Sequence, residues 1–337
     1  MEKILKKRNI IFVILVFVIT IFFMLKNNYI HREMFKRINY FYLSIGVLIS
    51  FGVWLSEVLM VKSILHKDIS YHDSFENIAL GQLFNGLTPF ASGGQVVQIY
   101  HMNSKKIAYA KSTATLFIMF FVYQIILTIL GTISIFFKYG YFKSLLKEKI
   151  YFIFFGFTLN FIIALFLISL FFISKNSGKF MFGIIKNIPF LKEKYKNKLY
   201  IKIRKFIKEF SLSINIIKND KKIVIKLVIL NLIKLFCMYI VPYFVILSLS
   251  ENIKLEILLP GMAFLNMITS FIPLPGASLG AEGGFILLFH KFLLQKDIFF
   301  VMFLWRFLSY YLNILAGSLV MVYIILKEEK EIKNFIK

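Results

Sequence analysis

Long apolar runs alternate with short polar, lysine-rich connections along this chain. A spanning helix needs about 20 predominantly apolar residues. On that scale the pattern predicts helices over Ile10–Leu25, Tyr40–Val61, Ser112–Phe137, Ile150–Ile173, Ile223–Leu249 and Ile298–Leu326. The first run follows Lys3, Lys6, Lys7 and Arg8 like a signal peptide, but Lys26-Asn27-Asn28 follows it instead of a small-residue cleavage site, so it reads as an uncleaved helix. The expected fold class is an all-α polytopic membrane protein: about six full transmembrane helices plus two opposed re-entrant helical hairpins, in one integral membrane domain over 1–337.

Two segments break the pattern. In the first hairpin, 76–103, the run Asn77–Leu87 is too short to span, and Pro89 and Gly93-Gly94 interrupt it. Ser92-Gly-Gly-Gln95 fits a Ser-x-x-Gln capping box that starts a new half-helix. In the second, 254–292, Pro273 and Pro275 remove backbone donors and stop a helix, while Gly276, Gly280, Gly283 and Gly284 allow tight turns and close approach. Unwound backbone at membrane depth is tolerated only where it is buried in protein or lines a polar cavity. A pair of interrupted segments is a pointer to a transporter-like binding site.

A third polar segment, 175–222, repeats Leu199, Ile203, Phe206, Ile207, Phe210, Ile214 and Ile217 at helical spacing, with Lys198, Lys202, Lys205 and Lys208 on other faces. It reads as a basic amphipathic cytoplasmic helix, suited to an anionic membrane surface or to packing on the bundle.

Charge settles the direction of these elements. The net charge is +24 and 59% of residues are hydrophobic. No nucleic-acid motif accompanies the charge, so nucleic acid is not an expected partner. With the N-terminus inside and both broken segments re-entering, the inside segments hold 27 basic residues and the outside segments 11. That follows the positive-inside rule and places both termini in the cytoplasm of a multi-pass cell-membrane protein. The hairpins then enter from opposite sides, and their tips are expected to meet near the midplane, each presenting a helix N-terminus to an anion. The lone cysteine, Cys237, forms no intrachain disulfide.

The candidate substrate-binding residues follow from that geometry. Glu282 and Arg306 are ionisable residues at membrane depth, either substrate-facing or paired with each other. The Arg306 guanidinium suits a bidentate grip on a phosphodiester, and Lys234 offers a second cation or snorkels. Ser92, Gly93, Gly94 and Gln95 offer hydroxyl, amide and backbone donors, and Gly280 offers close approach. Pro89, Pro273, Pro275 and Gly276 form the structural tips. Glu57 is expected to pair with Lys62. His66, His72 and His101 are loop-proximal without metal-ligand spacing, so no metal is expected; no cofactor is implied, and no Walker A pattern supports direct ATP use.

The stretch Asn85-Gly-Leu-Thr-Pro-Phe-Ala-Ser-Gly-Gly94, with Pro273-Leu-Pro-Gly276, Gly280-Ala-Glu282 and the following Arg306, resembles the lysylphosphatidylglycerol synthase/flippase transmembrane family over roughly residues 10–326. The resemblance implies a flippase-like domain that moves lipid between leaflets, while tRNA-dependent aminoacyl transfer belongs to a separate soluble C-terminal domain. The chain ends at Lys337, shortly after its last helix, so translocation is the part expected here.

The leading expectation is a translocase for an anionic, aminoacylated or polyprenyl-phosphate lipid. The alternatives are a lipid-modifying transferase, such as a phosphatidylglycerol lysyltransferase, and an ion or small-solute carrier. Expected partners are membrane phospholipids through their anionic headgroups, a separate lipid-modifying synthase, and a second copy in a homodimer.

Overall fold

The computed structural model describes residues 32–146, 156–165, 193–270, 272 and 274–336. The helices in chain order are α1 (Arg32–Lys36), α2 (Tyr40–Leu65), α3 (Tyr71–Leu87), α4 (Gly93–Ser104), α5 (Tyr109–Phe137), α6 (Tyr139–Leu146), α7 (Gly156–Leu165), α8 (Glu193–Asn219), α9 (Lys221–Ser248), α10 (Leu255–Thr269), α11 (Gly280–Phe289), α12 (Ile298–Arg306) and α13 (Leu312–Ile336). A π-helical turn, Phe307–Tyr311, joins the last two into one rod.

Among the described residues, four helical stretches are long and apolar enough to cross a membrane: Tyr40–Asp68, Tyr109–Phe137, Lys221–Ser248 and Ile298–Lys327. They match four of the six expected spans. The expected Ile10–Leu25 lies outside the described residues, and α7 is the described part of Ile150–Ile173. The protein is an all-α polytopic membrane protein.

Local chemistry starts these helices. Asn39 Oδ1 accepts from the Phe41 amide to cap α2, Ser70 Oγ accepts from the Asp73 amide to cap α3, and Asp220 Oδ1 accepts from the Lys222 and Ile223 amides to cap α9. Inside the spans, Ser50 and Thr128 donate their hydroxyls to the carbonyls of Gly46 and Gln124, so polar groups are satisfied within the helix. Small residues then let backbones approach. A Cβ on Gly131 would stand 2.5 Å from Met267 Sδ, and one on Gly317 would stand 2.5 Å from the Ala79 carbonyl.

Both broken segments are antiparallel helix pairs. In the first, Asn77 Nδ2 donates to the Gln98 carbonyl at 2.9 Å, and Gln98 Nε2 donates to Asn77 Oδ1 at 3.2 Å. Nearer the tip, the Gly94 amide donates to Asn85 Oδ1, and at the base Lys105 holds Asp73 at 2.5 Å and Glu76 at 3.3 Å. In the second, Gly261 faces Phe289, Gly284 faces Leu265 and Gly280 faces Ile272.

The two bases lie at opposite ends of the molecule. At one end Arg37 grips Asp297 through two bonds of 2.8 and 3.0 Å, the Asn39 amide donates to the Ser248 carbonyl, and Tyr141 donates to the Leu288 carbonyl. At the other end Lys111 pairs with Asp68, and Lys105 with Asp73. These are the same connections that the basic-residue count separates onto two sides. The hairpin tips, Pro89–Ala91 and Pro275–Ala277, touch each other.

The amphipathic α8 seats Phe210, Ile214 and Ile217 against the bundle, with the Phe210 ring 5.6 Å from that of Phe117 on α5. Residues 175–192 of that expected segment lie outside the described ones.

Two stability predictions follow from the first hairpin. A Cβ on Gly94 would stand 2.2 Å from Asn85 Oδ1 and 2.4 Å from the Gly81 carbonyl, whereas one on Gly283 meets nothing within 4 Å. Gly94→Ala should destabilise the detergent-solubilised protein by about 1–3 kcal/mol, read as a lower Tm, while Gly283→Ala should not lower it. The base clasp adds a pH dependence. Burial pushes the Asp73 carboxyl up, but hydrogen bonds from Lys105 and Ser70, with the charges of Lys105 and His101, together outweigh it and hold the group at about 2. A depressed carboxyl contributes stability that is full above about pH 4 and is lost as pH falls toward the folded value. Lys105→Met should therefore lower the Tm by a few degrees at neutral pH, and its difference from wild type should shrink between about pH 4 and pH 2.

Candidate functional site

Where the tips meet, the bundle leaves a cavity of about 700 Å³. Its wall takes Gln82, Asn85, Ser92 and Gln95 from the first hairpin, Gly276 and Ala277 from the second, and Glu57, Lys234, Arg306 and Asn313 from the spans. Pockets that bind small molecules have volumes of about 300–1,000 Å³.

The tips owe their shape to left-handed backbone. Phe90 and Ala91 have φ of 55° and 49°, and Gly276 and Ala277 have φ of 60° and 51°. Non-glycine residues held there cost on the order of 1–3 kcal/mol each, and such strain clusters at functional sites. Gly276 is required twice over: its φ is positive, and a Cβ would stand 2.1 Å from the Tyr310 ring. The Tyr310 hydroxyl donates to the Gly86 carbonyl at 2.8 Å, so one side chain of the last rod braces both hairpins.

Arg306 sits beside this brace, one residue before the π turn. Its Nε donates to Glu282 Oε1 at 2.8 Å, its Nη2 donates to the Gly276 carbonyl at 2.9 Å, and its guanidinium stacks 4.4 Å from the Tyr310 ring centre. Those bonds use two of the five guanidinium donors. Glu282 stands in the first turn of α11, where the helix dipole favours a carboxylate. The structure thus makes the Glu282–Arg306 pair that the sequence allowed. Glu282 Oε2 and Ser309 Oγ are buried without hydrogen-bond partners, and of the two residues Ser309 lines the cavity.

A second ion pair stands in the wall. Lys234 Nζ bonds Glu57 Oε1 at 2.6 Å and lies 4.8 Å from the Tyr123 ring centre, while Gln82 Nε2 donates to Glu57 Oε2 at 2.6 Å. This corrects the expected Glu57–Lys62 pair. Five residues of helix turn the second side chain about 140° from the first, so the two do not share a face. Lys62 instead caps its own helix end through the carbonyls of His66 and Ile69.

The first-hairpin candidates divide. Ser92 and Gln95 line the cavity, as do Lys234 and Arg306. The capping box does not form: Ser92 is αR, with φ −85° and ψ −22°, and makes no side-chain cap bond. An N-cap needs extended backbone, and the left-handed turn at Phe90–Ala91 delivers the chain to Ser92 in the wrong conformation. Thr88 Oγ1 accepts from the Gly93 amide and Asn85 Oδ1 from the Gly94 amide, so both glycines serve the tip's own closure. Gly280 packs on Ile272, where a Cβ would stand 1.8 Å away. Pro89 and Pro275 lie in the tips, and Pro273 lies outside the described residues.

His101 stands in the last turn of α4, close to the loop as expected. It is nevertheless buried, 3.2 Å from Glu76 Oε2 on the facing helix of the hairpin. His72, Asp73 and Glu76 bring potential metal-ligand atoms within 4.8 Å of one another, but Lys105 and His101 already meet the two carboxylates.

Sequence reasoning missed Gln82, Asn85, Tyr123, Asn266 and Asn313. Asn266 Nδ2 lies 3.3 Å from both the Tyr123 and Tyr239 hydroxyls, and Asn313 Oδ1 accepts from Trp54 Nε1 at 2.8 Å. Their signal was present as uncharged amides and phenols inside apolar runs.

No curated protein and no solved structure matches the chain. One family model does, described as the lysylphosphatidylglycerol synthase TM region, and it matches residues 10–317. A polytopic bundle whose broken helices meet around a charged cavity therefore belongs to the lysylphosphatidylglycerol synthase transmembrane-region family.

Proposed function

We propose that the protein is a phospholipid translocase that takes an acidic headgroup into the tip cavity while the acyl chains stay in the bilayer. Family membership supports a role tied to membrane lipids. The observation that carries the finer reading is the cavity itself: two hairpins from opposite ends close on it, and Arg306 and Lys234 stand in its wall. Arg306 has donors left for a phosphodiester. Phe90 and Phe120 belong both to the cavity wall and to the exposed surface, which suits a lipid whose head is inside and whose tails are outside. Transporters with interrupted helices expose such a site alternately by rocking one half against the other, and the left-handed tips fit that hinge role.

The transferase reading is weaker. Among the described residues, the cavity wall carries no histidine or cysteine, and its one carboxylate is held by Lys234. That leaves little material for general acid–base or nucleophilic work.

The test is lipid movement in proteoliposomes, using acyl-chain-labelled phosphatidylglycerol and a membrane-impermeant reductant. Wild type should empty the protected pool at least about tenfold faster than protein-free vesicles. The double variant Arg306→Gln/Glu282→Gln removes both charges together, which leaves no unpaired buried ion. It should remain folded, as a cooperative thermal transition shows, and lose at least about tenfold in rate. A wild type that leaves the protected pool intact sinks the reading, and headgroup-modified lipid made in its place favours the transferase.

A further inference from the structure

Two cations stand in the cavity wall, and they are not held alike. Arg306 is locked by Glu282, by the Gly276 carbonyl and by the Tyr310 ring. Lys234 has one ionic partner, Glu57, and one aromatic face, Tyr123. Glu57 is the one carboxylate on the wall among the described residues, and Glu282 sits behind Arg306, off the wall.

The surroundings of Glu57 are simple. From α9 it meets Lys234, with Tyr239 further along the same wall; from α5 the wall carries Tyr123, whose ring lies against Lys234. From α3 the wall carries only the amides Gln82 and Asn85 as polar side chains, and from the last rod it carries Arg306, already paired. The ionised groups of the wall and of its immediate partners sum to zero. A phosphodiester entering this space brings one uncompensated negative charge into a low-dielectric site. Lys234 is the more readily recruited cation, since it has fewer bonds to give up. Once Lys234 turns to phosphate, Glu57 is a buried carboxylate without its counter-ion, and such a group favours its neutral form.

We propose that Glu57 is a proton-carrying site: it takes up one proton as the phosphate of a singly charged acidic phospholipid displaces it from Lys234, so that lipid and proton cross together. This rests on the translocase reading and narrows its substrate to lipids with one net negative charge. The proton comes from water on the loading side and binds a Glu57 carboxylate oxygen. It leaves on the other side as the lipid departs and Lys234 returns to Glu57. Gln82 serves both states. Its amide nitrogen donates to the carboxylate, and with the amide turned its oxygen accepts from the carboxylic O–H. Because Gln82 belongs to the first hairpin and Glu57 to the α2 scaffold, the state of Glu57 is also coupled to the hairpin's position.

Lipid and proton together carry no net charge. Transport should therefore follow a pH gradient and ignore an imposed membrane potential.

The experiment uses the full chain in vesicles containing acyl-labelled phosphatidylglycerol and an internal pH dye. Lipid movement and internal pH are read in the same sample, with either a pH gradient or a potassium-valinomycin potential applied. The expected result for wild type is one proton per lipid moved, net lipid redistribution that reverses with the pH gradient, no response to the potential, and no proton flux in vesicles of phosphatidylcholine alone. Glu57→Gln, checked for folding by Tm, should lose the proton flux and the gradient response. Glu256→Gln, an exposed carboxylate away from the cavity, should behave as wild type. Lipid movement by wild type without proton flux, or a gradient response that survives in folded Glu57→Gln, overturns the coupling and leaves the translocase reading standing. No lipid movement by wild type overturns both. The wild-type stoichiometry decides the matter without the variant, so a misfolded Glu57→Gln does not protect the proposal.

Discussion

A peptide group without a hydrogen-bond partner is costly in hydrocarbon, and this constraint organises the molecule. Two helices are interrupted by proline and glycine, and their unwound ends must be buried in protein or line a polar cavity. The protein meets the requirement by bringing the two interruptions to the same place. The tips touch, Tyr310 ties the Gly86 carbonyl, Arg306 ties the Gly276 carbonyl, and Thr88 and Asn85 close the first tip from within. Bringing the irregular backbone together in this way also leaves a cavity with polar and charged groups in its wall, so the structural solution and the candidate site are one feature.

The charges obey a related rule. An ion far from water needs a partner, or its cost is several kcal/mol. Glu57, Lys234, Glu282 and Arg306 are all paired, the first two across helices far apart in the chain and the last two across consecutive ones. The pairs differ in how freely they can part. Glu282–Arg306 is reinforced by a helix terminus, a carbonyl and a ring, and it acts as a fixed post. Glu57–Lys234 is held by an amide and a ring, and it faces the open space. This difference in restraint, more than the presence of charge, separates a structural pair from one suited to exchange.

Close approach does the remaining work. Gly131 admits Met267, Gly317 admits the Ala79 carbonyl, and Gly276 admits the Tyr310 ring. The π turn after Arg306 adds a residue to the helical repeat and shifts the face that the rest of the rod presents. Arg306 can then face Glu282 while Tyr310 and Asn313 reach the first hairpin and Trp54.

The sequence by itself determined what depends on neighbouring residues and on the bilayer. Apolar run length set the spans, proline and glycine set the interruptions, and the imbalance of lysine between connections predicted which ones lie together. Glu282 and Arg306 were legible as a pair because each is a charge in a short apolar stretch of the same region. What only the tertiary structure decided was contact between distant helices and the backbone state at the tips. Glu57 and Lys234 meet because α2 packs along α9, and nothing local to either residue encodes that register. The Ser92–Gln95 motif failed as a cap because the left-handed turn before it, set by the meeting of the tips, overrode a local preference. Local chemistry carries about 1 kcal/mol at such a cap, and the packing of two buried hairpins outweighs it.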